Sequence, residues 1–482
     1  MSDFSQPYND ETAPSTRTSR SYPTYVFWIM FSISFLNYLD RNVLTGAANT
    51  IAHELGFGVD GIGYVASAFL VVYTLMTIPV GLIADRTKRK NVVAFCVTFW
   101  SLATALTALS FNFLSLFFFR MLLGVGEAGY FPAGTAIMSD YFSRAKRSRV
   151  MSWWSVAQLV GILLGYVLGG ELAGIYTGSW RLAFLFTGIP GLILAFLAWK
   201  LREPRRNQAD EEEASGTFSS YEEELLSEGT VIETPAASVR PPAPTNPFAQ
   251  LGSLLRIKTL VVLIIMQIFA FFVLSVATTF LPTYLQQLDL YGLKPGTAGL
   301  FSGGVIVLAG LVGTVFGGYL ADWLNSRHAG SRVLVCGIGF LISAPTFALS
   351  VIVHSFGLFA LFFIVTTVLI TFYTGPSTAA TQDVAPSALR ASAVAVSLLI
   401  AHLLGDAFSP TLIGVLARMF DPTGGTHFAL NSAGHDLAFA MLITCTPALV
   451  IAGLVGIFGA RWMKVDVAAA QEADRLASQS AA

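Results

Sequence analysis

The sequence predicts an all-α membrane protein, with twelve transmembrane helices in two pseudo-symmetric six-helix bundles and both chain termini in the cytoplasm. Three observations carry this expectation: the hydrophobic runs, the alternation of basic loops, and an internal repeat. Of the 482 residues, 54% are hydrophobic and 12% charged, whereas a soluble domain carries about a quarter charged residues. The apolar residues are also gathered into runs. Spans near 29–47, 62–84, 91–110, 113–137 and 150–172 each exceed the roughly 18 apolar residues of a membrane crossing. Twelve such spans can be counted, and twelve helices of about 20 residues with their loops account for the length.

The net charge of −1 says little, but the placement of the charges says more. Arg86, Lys88, Arg89 and Lys90 lie between spans 2 and 3, and Arg144, Lys146, Arg147 and Arg149 between spans 4 and 5. Arg327 and Arg332 follow span 8, and Arg390 follows span 10. The opposite loops are almost bare, with Lys294 after span 7 and Arg418 after span 11. Positive loops stay in the cytoplasm, which puts both termini inside. About two dozen polar residues precede span 1 in place of a short basic leader, so no cleavable signal is expected. Cys96, Cys336 and Cys445 all fall in apolar spans without CxxC spacing and read as small core residues.

Composition divides the chain further. Residues 1–22, rich in Ser, Thr, Pro and Asp, and residues 202–252, acidic and then proline-rich, cannot bury a core. The expected order is a tail (1–22), a six-helix bundle (23–201), a cytoplasmic linker (202–252), a second bundle (253–464) and a tail (465–482). The bundles repeat one another. "GLIADRTKRK" follows span 2 and "GYLADWLNSR" follows span 8, with Gly81 and Gly318 each four residues before an aspartate, Asp85 and Asp322. A repeat across two six-helix halves is a transporter signature, with the substrate site expected between the halves near mid-membrane.

The G-x-L-A-D-R-x-x-R-K stretch resembles the cytoplasmic loop motif of the major facilitator superfamily, and the resemblance runs from about Tyr25 to Lys464. Within it, "NYLDR", "RMLLGVGEAGYFPAG", "RSRVMSWWSVAQLVGILLGYVLGG" and above all "HLLGDAFSP" resemble the Spinster-type lipid transporters. Sugar-acid/anion symporters share N-x-x-D-R in span 1 and G-V-x-E-A in span 4, which keeps a second assignment open. The superfamily implies the major facilitator fold.

Several residues could carry chemistry. Asp85 ends span 2, with Arg86, Arg89 and Lys90 beyond it, and Asp322 takes the matching place after Gly318. A carboxylate at a helix end beside basic side chains makes a latch that forms or breaks as the halves rock, although the same charges also set topology. In span 4, Arg120 and Glu127 are seven residues apart and share a face, about 10 Å apart along the axis. In span 1, Asp40 and Arg41 stand together, Asp40 about 22 Å from a helix start near Tyr25. Charges at this depth cost about 2.5–3.5 kcal/mol each on insertion scales and usually mark a pathway; the blander reading is a structural ion pair joining spans 1 and 4.

Arg120 reaches a level similar to that of Asp40 and is expected to neutralise or compete for it. Burial raises a carboxylate's pKa and a neighbouring Arg lowers it. A change of partner as the halves rock therefore changes proton affinity. On this reading Asp40 and Glu127 titrate while Arg41 and Arg120 switch between them. The Spinster resemblance implies the same network. In span 11, His402 and Asp406 share a face at i and i+4. Asp406 is expected to accept a proton or meet a cationic headgroup, while His402 can equally be a core histidine.

Gly161, Gly165 and Gly169 read as a packing face, and Pro79 and Pro132 as kinks that neighbouring helices tolerate. Trp153, Trp154, Gln158 and Tyr284 are candidates for an aromatic belt or, less simply, for substrate contact. No P-loop, no Rossmann fingerprint after a strand and no zinc spacing is present, and no water-facing domain carries a Ser-His-Asp set. No enzyme, cofactor, metal or nucleic-acid partner is therefore expected.

The resemblance implies a secondary active, proton-coupled carrier of an amphipathic substrate of lysophospholipid or sphingoid type, working by alternating access as a monomer in a plasma or inner membrane. Protons, membrane lipids and the substrate are its expected partners. The alternative is a proton-coupled symporter of small organic anions such as sugar acids. A membrane receptor or scaffold would leave the repeated loops and buried charges without a task.

Overall fold

A computed structural model describes residues 22–205, 208–209, 252–325, 330–386, 389–421 and 433–481. The expected N-terminal tail and most of the 202–252 linker lie outside them. The described elements are all helical. Among the described residues eleven helices are long and apolar enough to cross a membrane: Val59–Ala84, Arg89–Thr107, Phe113–Tyr141, Arg149–Ala173, Trp180–Lys200, Lys258–Gln286, Pro295–Asn325, Ser331–Ile352, Phe356–Val384, Ser392–Phe420 and Ala433–Leu476. These are spans 2 to 12 in order. Span 1 is the helix Tyr22–Leu55. It is less apolar because it carries Asn37, Asp40, Asn42 and Asn49, and all four are buried against protein.

Two spans are broken and two carry π-helical turns. Span 4 interrupts between Glu127 and Tyr130, so Pro132 falls in the first turn of the continuing helix, where its missing N–H costs nothing. Its counterpart, span 10, interrupts between Thr371 and Thr374. Spans 8 and 11 contain π-helical turns at Val305–Ala309 and His402–Asp406.

The exterior is apolar. Phe95, Phe186, Ile193, Phe316 and Leu361 each stand more than half exposed, which suits lipid rather than water. Tyr25, Trp28, Trp153, Trp199, Tyr319 and Trp323 are also exposed and lie at the basic ends of their spans, as an interfacial girdle does. That end is assembled by polar contacts. The Arg202 N–H donates to the Tyr22 hydroxyl and the Tyr141 hydroxyl donates to the Arg202 carbonyl, joining the ends of spans 1, 4 and 6. At the opposite end Glu54 of span 1 pairs with Arg181 of span 6.

Each half uses one packing scheme. Spans 1 and 5, 3 and 6, 2 and 4, and 3 and 4 pack in the first half. Spans 7 and 11, 9 and 12, 8 and 10, and 9 and 10 pack in the second. A six-span shift maps one set onto the other. The glycines of span 5 make the first contact possible: a Cβ at Gly161, Gly165 or Gly169 would strike the carbonyl of Phe35, Leu39 or Val43. This is the expected packing face.

The halves meet chiefly along two seams, span 2 against span 11 and span 5 against span 8, with span 1 also touching span 7. Both seams lie toward the end away from the basic loops. Gly63 abuts Pro410, Gly414 abuts Asp60, and Gly299 abuts Tyr166. The Thr411 N–H donates to Ser67 Oγ at 3.1 Å, and Arg418 pairs with Asp60 at 2.6 Å. Among the described residues the basic ends of the halves form no comparable seam. The central cleft is therefore closed on the outer side and open on the cytoplasmic side.

Candidate functional site

A cavity of about 620 Å³ lies between the halves. Much of its wall is apolar, including Leu44, Val65, Leu70, Ile162, Leu274 and Ile306. Its ionisable groups form two facing sets: Arg41 and Arg120 from the first half, His402 and Asp406 from the second. Tyr38, Phe69, Phe271 and Tyr373 add aromatic surface beside them.

In the first half the four expected charges come together, but Asp40 and Arg41 look in different directions. Consecutive helix residues do not share a face. Arg41 turns toward the cavity and pairs with Glu127 of span 4, Nη2 to Oε2 at 2.6 Å with Nε at 3.2 Å. Its guanidinium also lies 4.8 Å from the Phe69 ring centre, 4.9 Å from that of Tyr73 and 5.3 Å from that of Tyr38, an arrangement that attracts a cation to the ring faces. Asp40 turns into the bundle. It is 1% exposed and does not line the cavity. Thr104 of span 3 and Thr187 of span 6 donate their hydroxyls to its two oxygens.

Arg120 of span 4 is also buried, 2% exposed. Its guanidinium stacks 5.1 Å from the Phe184 ring centre, and Nε and Nη2 have no hydrogen-bond partner among the described residues. Oε1 of Glu127 is likewise without one. Spans 1 and 4 are thus joined by the Arg41–Glu127 ion pair, while Asp40 and Arg120 are both buried and, among the described residues, form no ion pair with each other. Such a set has an alternative pairing available to it.

In the second half, His402 Nδ1 and Asp406 Oδ2 are 2.7 Å apart. The His402 ring also lies 4.7 Å from that of Phe271. Both residues belong to the π-helical turn, in which the Ala407 N–H donates to the His402 carbonyl five residues back. Such turns recur at functional sites because they re-aim side chains and free backbone groups. Oδ1 of Asp406 is buried and has no partner among the described residues.

The loop residues of both halves carry ion pairs and backbone hydrogen bonds. The Asp85 side chain lies outside the described residues. Arg86 is exposed. The Arg89 guanidinium pairs with Asp140 at the end of span 4, and the N–H groups of Arg89 and Lys90 donate to the Glu203 carboxylate at 2.7 and 3.0 Å. Lys90 Nζ donates to the Leu201 carbonyl at 2.6 Å. In the second half Arg332 joins Asp322, at 3.0 Å, to Asp383 at the end of span 10. Gly81 and Gly318 face open space. The described ion pairs of each loop fall within that loop's own half.

Other expectations resolve simply. Cys96, Cys336 and Cys445 are buried free thiols. Trp153 belongs to the exposed girdle, but Trp154 is buried, donating from Nε1 toward the Met30 carbonyl and Tyr130 hydroxyl, each at 3.2 Å. The belt expectation fails for Tyr284. It is 1% exposed, in the core of the second half, because the aromatic rings of Tyr291 and Phe359 surround it.

Sequence reasoning missed Thr104, Thr187, Asp140, Asp383 and the Asp60–Arg418 pair. The threonines look like ordinary span residues and carry no signal. Asp140 and Asp383 could have been found by extending the internal repeat, since "PAGTAIMSD" ends span 4 as "PSTAATQD" ends span 10.

Residues 30–410 match the Major Facilitator Superfamily. The chain is similar to Protein spinster homolog 1 of Xenopus tropicalis, 28% identical over 91% of this chain and 80% of that protein. It is also similar to the Probable L-galactonate transporter of Escherichia coli, 28% identical over 64% of each chain. Among solved structures, a bacterial homolog of the human lysosomal transporter Spinster, in an inward-facing and unoccupied conformation, superposes with a TM-score of 0.78 at 22% identity, covering 93% of this chain and 99% of the other.

Proposed function

We propose that this chain, which belongs to the Major Facilitator Superfamily, is a proton-coupled carrier of a single-chain amphiphile of lysophospholipid or sphingoid type. It is an integral, multi-pass membrane transporter of Spinster-like kind and not an enzyme. The observation that carries the finer reading is the cavity: about 620 Å³, apolar over much of its wall, with ionisable groups gathered where the two halves face each other. An amphiphile matches that division, with its chain along the apolar wall and its headgroup between Arg120 and Asp406. Similarity to the spinster homologues supports it.

The coupling follows from the partner geometry. With Glu127 ionised, Arg41 is neutralised and held by its own half. Protonation of Glu127 would release Arg41 toward the cavity, where an anionic headgroup can take the place of the carboxylate. Asp40 and Arg120 form the second couple: an anion drawing the unpaired donors of Arg120 would weaken its hold on Asp40 and favour protonation there. Substrate and proton thus influence each other through shared arginines, and that coupling is reciprocal. On outward opening the seams at Asp60–Arg418 and Ser67–Thr411 would part, and the faces carrying Gly81 and Gly318 would come together at the cytoplasmic side.

A second reading is favoured by the similarity to the L-galactonate transporter: Arg120, with its unpaired donors, would grip the carboxylate of a sugar acid. Uptake into proteoliposomes, with lysophospholipid and with sugar acid, each with and without a pH gradient, separates the two. The amphiphile reading requires gradient-driven uptake of lysophospholipid alone. Gradient-driven uptake of sugar acid alone would replace it.

A further inference from the structure

Beyond the outer end of the cavity lies a smaller recess of about 20 Å³, continuous with it through Leu44, Thr45, Val65, Ala66 and Thr279, which line both. The residues peculiar to the recess are Ala48, Ile51, Phe57, Ile62 and Leu116, and all are apolar. Phe57, packed edge-on against Phe113 with ring centres 5.3 Å apart, stands at the turn joining spans 1 and 2. Membership of these residues in the last turns of span 1 and the first turns of spans 2 and 4 sets the recess on the outer side, away from the cytoplasmic opening.

Thr45 and Thr279 are shared with the cavity and the remaining wall of the recess is apolar, which favours an alkyl group over water, and closely packed interiors retain few such voids. A packing fault would be isolated. This one opens from the cavity and continues the apolar wall in the direction leading away from the Arg41, Arg120 and Asp406 end.

We infer that the recess receives the terminal methylenes of the transported amphiphile's single alkyl chain, and that Ala48 and Leu116 set the longest chain accepted. The inference rests on the amphiphile reading of the cavity and fixes the orientation of the bound molecule: headgroup at the charged band, chain end toward the outer side. Ala48 is 4% exposed and Leu116 1%, so a change of side-chain volume at either one alters the recess rather than the surface. Each methylene moved from water into an apolar site improves affinity about fourfold. Affinity should therefore climb with chain length and level off once the recess is full.

The test uses the full chain in nanodiscs and a homologous series of alkylphosphocholines from octyl to hexadecyl, with binding measured by displacement. Ala48→Leu fills the recess and should bring the plateau to a shorter chain, lowering affinity for the longest members about fourfold per methylene excluded. Leu116→Ala enlarges it and should move the plateau to a longer chain. Because the readout is the shape of the chain-length profile, loss of folded protein does not imitate it. Opposite shifts by the two variants support the assignment. An unchanged profile in both, with the whole series still binding, would overturn the recess alone. Failure of every member to bind the unaltered protein would overturn the amphiphile reading with it.

Discussion

In the first half, Glu127 is held by Arg41 and Asp40 by the hydroxyls of Thr104 and Thr187, all from the same bundle. In the second half, Asp406 has one oxygen on His402 and the other without a partner, on a π-helical turn at the cavity wall. Halves built on one packing scheme therefore treat their carboxylates in opposite ways. The first keeps them off the cavity wall, although Oε1 of Glu127, like Oδ1 of Asp406, has no partner among the described residues. The second places its carboxylate on the cavity wall itself. The repeat conserves helix packing while the placement of its carboxylates diverges.

The largest effect is expected from Glu127→Gln. It removes the anion that neutralises Arg41, and breaking a buried pair from one side costs about 3–5 kcal/mol, less here because Arg41 is about a quarter exposed. Gradient-driven uptake should fall to background, with the protein still inserted as judged by its yield from membranes. Asp40→Asn should do the same. Normal gradient-driven uptake by both would remove the first half's assigned task.

Asp406→Asn should act on substrate. A hydrogen bond to a charged group contributes about 1.5–3 kcal/mol, so the KM for a substrate with a cationic headgroup should rise about tenfold or more while proton movement per turnover persists. Loss of proton coupling at unchanged KM would place Asp406 with Asp40 and Glu127 and erase the difference between the halves. Packing offers a smaller comparison. A Cβ at Gly165 would strike the Leu39 carbonyl, and one at Gly405 the Ile268 carbonyl. Either Gly→Ala change should therefore lower thermal stability, by about 1–3 kcal/mol, measured by unfolding in detergent. Equal losses would indicate that the π-helical turn packs as rigidly as the span 5 face; a smaller loss at Gly405 would mark it as the more yielding.

The smallest effect belongs to the pair that crosses between halves. Arg418→Ala removes an exposed ion partner of Asp60, and such solvent-screened pairs contribute little. Outer opening, followed by the accessibility of a cysteine placed on the outer seam, should become at most about fivefold more populated.

Much of this was legible before any coordinates. The long apolar runs forced helices because a bilayer leaves backbone groups no other partner, and the basic loops set orientation. Asp40, Arg41, Arg120, Glu127, His402 and Asp406 stood out because charges in apolar runs are costly. What could not be read was the direction each faces. A sequence places Asp40 beside Arg41, but helix geometry sends one into the bundle and the other to the cavity, and partners such as Thr104 and Thr187 come from distant spans. The cavity's apolar recess was equally hidden, since Ala48 and Leu116 look like any other core residue until the seams are closed.

The central claim is that substrate movement and proton movement share the arginines of the first half. The direct measurement is the internal pH of proteoliposomes carrying a trapped indicator, recorded as lysophospholipid is added to the unaltered protein and to Asp40→Asn and Glu127→Gln. Substrate should drive a pH change in the first and none in the variants, which should still exchange labelled for unlabelled substrate. Transport by the unaltered protein with no accompanying pH change would contradict the account.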